Sequence, residues 1–181
     1  MFFEPSYFQG EEREGFYIKS MMKRVWAVQL EILHQVDLIC KRHNIHYWAD
    51  WGTLLGAIRH KGYIPWDDDI DISMMRMDYL RFISYAQKEL PKEYVLKHPR
   101  EAANTTNLIT QILNSKYMCT KPDFLEKNHG CPYSTGIDIF VYDNIPLNKN
   151  EEKIQVEIID SVFTLYEYLV KEDYNNILTQ N

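Results

Sequence analysis

The chain has 181 residues, a formal net charge of −6 at pH 7 and three cysteines. This length can bury a sizeable core, and the mildly negative charge argues against nonspecific nucleic-acid binding and against a polybasic membrane surface. The three cysteines, Cys40, Cys119 and Cys131, are too widely spaced for a metal site, and their odd number does not make a complete disulfide framework. The expected location is therefore the reducing cytoplasm.

Residues 1–17 are predicted to be irregular, because Pro5, Gly10 and Gly15 interrupt them. They carry several glutamates and no long apolar run, so they do not form a secretory signal. No stretch approaches the roughly 20 apolar residues that a membrane-spanning helix needs. Any contact with the inner face of the membrane is therefore expected to be peripheral.

The first strong helix is predicted from about Ser20 to His43, with Ser20 as its cap. Apolar side chains recur along it at helical spacing, which predicts a face that packs on the core. They are Met22, Trp26, Leu30, Leu33, Val36 and Cys40.

Residues 46–50 predict a short strand and residues 53–59 a short helix, so Gly52 falls at a strand-to-helix turn. Exposed N–H groups and the helix dipole at such a turn favour a phosphate group. Thr53 is predicted to cap the helix or to contact the phosphate through its hydroxyl. A small-residue turn is more often an ordinary connector, and it gains weight here from the aspartates that follow.

Three basic residues, Arg59, His60 and Lys61, follow the short helix. Arginine suits bidentate phosphate recognition, and lysine neutralises a phosphate as a point charge. We therefore predict that they bind substrate. A solvated basic turn is the alternative for His60 and Lys61.

A run of aspartates, residues 67–69 and 71, comes next. A strand from Asp69 to Ile72 would point Asp69 and Asp71 to one face and Ile70 and Ile72 to the other. Mg²⁺ prefers oxygen ligands and often takes one or two carboxylates plus substrate phosphates. The pattern predicts a metal site at Asp69 and Asp71, against the alternative of a solvated acidic loop.

The rest of the chain predicts a helix at 77–89 and strands at 93–97 and 108–119. A polar loop with a short helix is predicted at 121–132, and a final amphipathic helix at 151–170.

Asp138 lies in a third apolar segment, residues 135–143. In a strand, Ile137 and Ile139 would face one layer while Asp138 faces the other. An aspartate in such a strand is costly unless it is paired or binds a ligand, and the alternative is an edge strand with one solvated face. If Asp138 faces Asp69 and Asp71, the three carboxylates form a triad for one or two metal ions.

Three segments, residues 52–62, 64–71 and 136–140, resemble the LicD family, the phosphocholine-transferase group related to fukutin. The resemblance covers about residues 20–146. It implies an α+β fold of the nucleotidyltransferase type, which is DNA polymerase beta-like and has a mixed sheet flanked by helices. It also implies that residues 1–181 form one domain. Relatives generally continue beyond this length, so a short or truncated member is expected.

The resemblance also implies site roles: Gly52 and Thr53 as the phosphate turn, Asp69 and Asp71 as the metal pair, and Asp138 as the third ligand and a catalytic group. The sequence departs from the family pattern at Trp51, where many relatives have a small residue, and at Gln111, where a basic residue is expected.

The implied activity is metal-dependent transfer of a phospho-alcohol, such as phosphocholine, from a CDP-linked donor. Its acceptor is a hydroxyl of a cell-surface glycan or a teichoic or lipoteichoic acid precursor, and its cofactor is Mg²⁺ or Mn²⁺. A nucleotidyltransferase that uses an NTP donor and a degenerate, non-catalytic binding domain are the alternatives. A glycosyltransferase is disfavoured, because a Gly-Thr turn precedes the aspartates.

Overall fold

The computed structural model describes residues 2–99 and 109–179, with side chains described up to residue 169. The chain divides into two compact units, Met1–Tyr142 and Asp143–Asn181. Compact units are not by themselves domains, so the single domain over residues 1–181 stays a prediction.

The first unit combines helices with a hairpin and a five-stranded mixed sheet, and it begins with a short 3-10 helix, Pro5–Phe8. Its helices and strands, in chain order, are β1 (Glu11–Arg13), β2 (Phe16–Ile18), α1 (Ser20–His43), β3 (Trp48–Ala49), α2 (Trp51–Arg59), β4 (Asp71–Met75), α3 (Arg76–Glu89), β5 (Val95–Lys97), β6 (Thr110–Leu113), α4 (Pro122–Lys127) and β7 (Gly136–Tyr142).

The sheet has the strand order β3-β4-β7-β6-β5. Strands β4 and β7 are parallel, and the other neighbours are antiparallel. Gly136 is required where β7 meets β6, since a Cβ atom there would lie 1.9 Å from the carbonyl oxygen of Ile112. The sheet and the flanking helices agree with the expected α+β class.

The core lies between one face of the sheet and the helices. Ile137 and Ile139 are each 1% exposed, which confirms the alternation predicted for this strand. Ile72 of β4 joins them, and Val36 of α1 and Phe82 of α3 belong to the same core cluster. Aliphatic burial of this kind is the main stabilising contribution to such a fold.

Helix α1 spans the predicted residues, but the prediction that Ser20 caps it is wrong. Lys19 holds the N-cap position and makes no side-chain cap bond. The prediction of an irregular N-terminus is also wrong, because β1 and β2 form a hairpin. Glu14 (φ 52°) and Gly15 (φ 76°) form its two-residue turn, so the glycine taken as a breaker closes the hairpin.

Helix α3 begins one residue earlier than predicted. The strand predicted at 108–119 corresponds to the shorter strand β6. Its predicted start at residue 108 lies outside the described residues. The second unit contains α5 (Lys149–Thr179), which confirms a final helix and extends it at both ends. In the described parts of the chain, helices of the length and apolarity needed to span a bilayer are absent.

Candidate active site

An acidic loop, residues 67–70, connects the region after α2 to the start of β4. Carboxylate oxygens of Asp67, Asp68 and Asp69 lie within 4.8 Å of one another. Within residues 2–99 and 109–169, this is the one group of three or more acidic, histidine or cysteine side chains that is so close. Asp67 and Asp68 therefore join Asp69, although the sequence analysis gave neither of them a role.

Asp71 and Asp138 lie beside this loop on neighbouring parallel strands. They are direct Cα partners in the register of β4 and β7, and the Asp138 N–H donates to the carbonyl of Ile70 at 2.9 Å. The structure thus brings Asp138 to the Asp69–Asp71 segment, the arrangement that the resemblance implied. The predicted strand start is wrong, because β4 begins at Asp71 and leaves Asp69 in the loop.

Burial and neighbouring negative charge raise the pKa of two of these carboxylates. Burial, followed by the charge of Asp67, raises the pKa of Asp69 to about 6. Burial, followed by the charges of Asp69 and Asp138, raises the pKa of Asp71 to about 6. Like charges this close favour protonation unless a cation offsets them. An all-carboxylate donor set is the chemistry that Mg²⁺ or Mn²⁺ takes, so these residues fit a divalent cation.

Two buried side chains of α1 hold the acidic loop in place. Trp26 Nε1 donates to the carbonyl of Asp67 at 2.9 Å, and Gln29 Nε2 donates to the carbonyl of Asp68 at 2.7 Å. Tyr63 supports both, since its ring stacks on Trp26 with centroids 4.5 Å apart and its hydroxyl donates to Gln29 Oε1 at 3.0 Å. The sequence predicted Trp26 as core, which its burial confirms, but missed Gln29. A glutamine on the apolar face of a helix is the signal that could have identified it.

The start of α2 faces the same loop. Asp50 caps the helix by accepting the Trp51 N–H at 2.9 Å, so the first of the two roles predicted for Thr53, the helix cap, is wrong. Thr53 Oγ1 instead accepts the Asp71 N–H at 2.8 Å. A Cβ atom on Gly52 would lie 2.5 Å from Asp67 Oδ2, so glycine leaves room for that carboxylate. Both residues of the predicted turn therefore lie at the acidic cluster.

Trp51 has φ 46°, in the left-handed region that a bulky side chain rarely adopts. Its ring contacts Phe140 with centroids 5.9 Å apart, while the residue stays largely exposed. A strained residue next to a polar cluster is common at functional sites.

Gln111 lies opposite Asp138 on β6 and donates from Nε2 to Asp138 Oδ1 at 2.9 Å. A basic residue was expected at this position. The amide orients the carboxylate without adding a positive charge, so it does not offset the negative charge of the acidic site.

The predicted basic residues lie at the other end of α2. Arg59 ends the helix, about 10 Å from Gly52 at 1.5 Å per residue. The His60 side chain is buried, with Nε2 3.1 Å from Glu14 Oε2, and Lys61 Nζ donates to the carbonyl of Ile58. The structure does not bring these three residues to the carboxylates, and their role in substrate binding stays a prediction.

The fold and site together define an α+β protein with an acidic centre on a parallel strand pair, next to the start of a short helix. The family model described as "LicD/FKTN/FKRP, nucleotidyltransferase domain" matches residues 44–143. The chain therefore belongs to the LicD family. This match begins later than the expected start at about residue 20, and all of α1 lies before it.

Individual relatives agree with this assignment. Lipopolysaccharide cholinephosphotransferase LicD of Haemophilus influenzae is 36% identical over 137 residues, which cover 75% of this chain and 48% of the relative. Ribitol 5-phosphate transferase FKRP of Homo sapiens is 46% identical over 35 residues, 19% of this chain and 7% of the relative. The chain thus spans about half the length of the bacterial relative.

Proposed function

We propose that this chain catalyses transfer of a phosphocholine-like group from a CDP-linked donor to a hydroxyl of a cell-surface glycan or a teichoic acid precursor. The names of two relatives support this, since both describe transfer of a phosphorylated alcohol. The observation that carries the proposal is the pairing of Asp71 with Asp138 on adjacent parallel strands beside the acidic loop.

Asp69, Asp71 and Asp138 would hold Mg²⁺ or Mn²⁺, with Asp67 and Asp68 adding negative charge nearby. A bound divalent cation neutralises phosphate charge and stabilises the charge that develops on the leaving group. The mutual repulsion of these carboxylates supports this role, because a cation would offset it.

The reaction proposed is an in-line displacement at phosphorus. The acceptor oxygen forms a bond to the donor's phosphorus, and the bond from that phosphorus to the oxygen of CMP breaks. Asp138 would take the acceptor proton on Oδ2, while Gln111 holds Oδ1. A positioned general base of this kind typically contributes about 10²- to 10⁴-fold to the rate.

Gly52 and Thr53 would contact a donor phosphate. They lie in the first turn of α2, where the backbone N–H groups lack helical acceptors. The Thr53 oxygen accepts the Asp71 N–H, and its own O–H can donate to a phosphate oxygen. Arg59, His60 and Lys61 would attract the anionic donor from the far end of the helix.

A second candidate is nucleotidyl transfer from an NTP, which the description of the matched family favours. The same carboxylates would serve, and pyrophosphate rather than CMP would leave. Donor preference separates the two functions.

Isothermal titration calorimetry with CDP-choline, CDP-ribitol, CDP-glycerol and CTP, each with and without Mg²⁺ or Mn²⁺, tests the proposal. Wild type is compared with Asp71→Asn and with Asp160→Asn, the same change at an exposed position of α5. We expect metal-dependent binding of one CDP-alcohol, followed by its turnover with an acceptor. Asp71→Asn should lose both, and Asp160→Asn should keep both.

Preference for CTP would favour nucleotidyl transfer. Unchanged turnover in Asp71→Asn would exclude the proposed metal role, and circular dichroism of each variant would show whether a loss reflects unfolding.

A further inference from the structure

A cavity of about 580 Å³ adjoins the acidic loop, between β2, the first turns of α1 and residues 133–135. Its volume lies in the range of small-molecule sites. Most of its lining is aromatic or aliphatic and includes Phe16, Tyr17, Met22, Val25 and Tyr133. The cavity therefore offers an apolar surface directly next to the proposed reaction centre.

Two buried amide side chains hold the polar wall of this cavity. Gln29 Nε2 donates to the carbonyl of Asp68 at 2.7 Å and lies 3.3 Å from Thr135 Oγ1. Asn114 Oδ1 accepts the Thr135 N–H at 2.9 Å. Asp68 and Thr135 both line the cavity, so a ligand would not have to order this wall.

The two charged groups that line the cavity lie at opposite ends. The Asp68 backbone is held beside Gln29. Lys19 immediately precedes α1 and is ten residues before Gln29, which corresponds to about 15 Å along the helix axis. Phe16 lies towards the Asp68 end, because its ring contacts Trp66, just before the acidic loop, with centroids 6.1 Å apart. Aromatic faces and a carboxylate thus share one end of the cavity.

Aromatic faces combined with a carboxylate are the chemistry that recognises a quaternary ammonium group. A polyol would instead need hydrogen-bond partners for each of its hydroxyls, and the aromatic and aliphatic side chains that make up most of the lining do not supply them. We propose that this cavity binds the trimethylammonium group of the donor, through Phe16, Tyr133 and Asp68, and so selects choline over polyols. The proposal rests on the proposed function, and it assigns the alcohol specificity partly to β2, which precedes the matched residues 44–143.

The direct test is a titration with choline alone, in the absence of metal and nucleotide, followed by NMR. The comparison ligand is the neutral isostere of choline in which a tert-butyl group replaces the trimethylammonium group. We expect choline to bind about three- to tenfold more tightly than the isostere, the range that cation–π contacts provide. Equal binding of the two ligands, or no binding of choline, would overturn the proposal.

Phe16→Leu and Tyr133→Leu keep an apolar side chain and remove the aromatic face. Each should weaken choline binding about three- to tenfold while leaving binding of the isostere nearly unchanged. Tyr117→Leu is the matched control, since Tyr117 is 70% exposed and does not line the cavity. Asp68→Asn should also weaken binding of choline more than binding of the isostere. Unchanged choline binding in all three cavity variants would contradict the inference.

A second titration separates this inference from the proposed function. With Mg²⁺ present, wild type should prefer CDP-choline to CDP-glycerol, and Phe16→Leu should lose that preference while still binding CDP-glycerol. If both donors bind equally to wild type and variant, the transfer function stands and the choline cavity is excluded. If neither donor binds, the proposed function fails and this inference fails with it.

Discussion

The two ends of α2 differ in what they contact, although their sequences suggested one joint phosphate site. At the N-terminal end, Gly52 adjoins the Asp67 carboxylate and Thr53 binds the backbone of Asp71. At the C-terminal end, His60 is buried against Trp66 and Glu14. Asp67 and Lys61, which are six residues apart in sequence, thus lie at opposite ends of the helix.

The loop after α2 explains this separation. It runs back along the helix, and Gly56 lets it approach closely, since a Cβ atom there would lie 2.5 Å from the carbonyl oxygen of Gly62. Asp67 therefore returns to the helix start, while Lys61 stays at its end. Proximity in sequence is a poor guide to proximity in space when a chain reverses between two groups.

Gly52→Ala should have the largest effect on the acidic end. The added Cβ atom would lie 2.5 Å from Asp67 Oδ2, at the tip of a side chain that can rotate away. The fold should therefore survive, while displacement of the Asp67 carboxylate weakens Mn²⁺ binding about tenfold to a hundredfold, because a nearby carboxylate attracts a cation by a few kcal/mol close to a protein surface. Mn²⁺ titration followed by electron paramagnetic resonance measures this loss.

Gly62→Ala is the matched control for Gly52→Ala, because a Cβ atom there would meet nothing within 4 Å. Its Mn²⁺ affinity should equal that of wild type. Equal affinities in both alanine variants would show that room at Gly52 does not matter for the site.

Thr53→Val should destabilise the protein by about 1–3 kcal/mol, since it removes the acceptor of the Asp71 N–H without changing side-chain shape much. Thr53→Ser keeps the oxygen and should recover most of this loss. Urea unfolding of both variants gives the free energies of unfolding. If Thr53→Ser were as destabilising as Thr53→Val, loss of the hydrogen bond to the Asp71 N–H could not by itself explain the effect of valine.

The pKa of Asp71 predicts how stability depends on pH in the absence of metal. Because this pKa is raised to about 6, the folded state binds a proton between about pH 4 and 6 that the unfolded state does not bind. The stabilisation of the folded state by this proton is fully present below about pH 4 and is lost as the pH rises through 6. Thermal unfolding in metal-free buffer should therefore show Asp71→Asn more stable than wild type above about pH 7.

This stability difference should narrow as the pH falls towards about 4, and solvent screening should keep it to about 1 kcal/mol or less. Added Mg²⁺ should reverse its sign, because only wild type gains a bound cation. A variant that is less stable than wild type at every pH would contradict repulsion within the cluster.

Local patterns predicted much of the fold. The helical spacing of α1 and the alternation of β7 specified those elements, because each pattern depends on one element facing the core. The sequence could not specify the parallel pairing of β4 with β7, since more than 60 residues separate Asp71 from Asp138 and register depends on the whole sheet. The metal role of these residues stays a prediction.

Side chains that support the site were harder to predict. Gln29 and Gln111 act through a backbone carbonyl and a carboxylate that only the folded sheet brings to them. Asp50 was assigned to a strand, yet it caps α2 because the strand ends one residue earlier, at Ala49. Such roles depend on exact element ends, which sequence patterns locate only to within a few residues.

Arg59→Ala should have the smallest effect, and it sharpens the comparison between the two ends of α2. Arg59 is exposed and lies about 10 Å from Gly52, near the screening length of about 8–10 Å at moderate salt. CDP-choline affinity should therefore fall less than about threefold at low salt, and the change should disappear at about 0.5 M NaCl, where screening is stronger. Lys61→Ala should behave in the same way, because Lys61 Nζ is engaged with the carbonyl of Ile58. A loss of tenfold or more that persists at high salt would mean that the basic end contacts the donor directly, and the loop would then have to move when the donor binds.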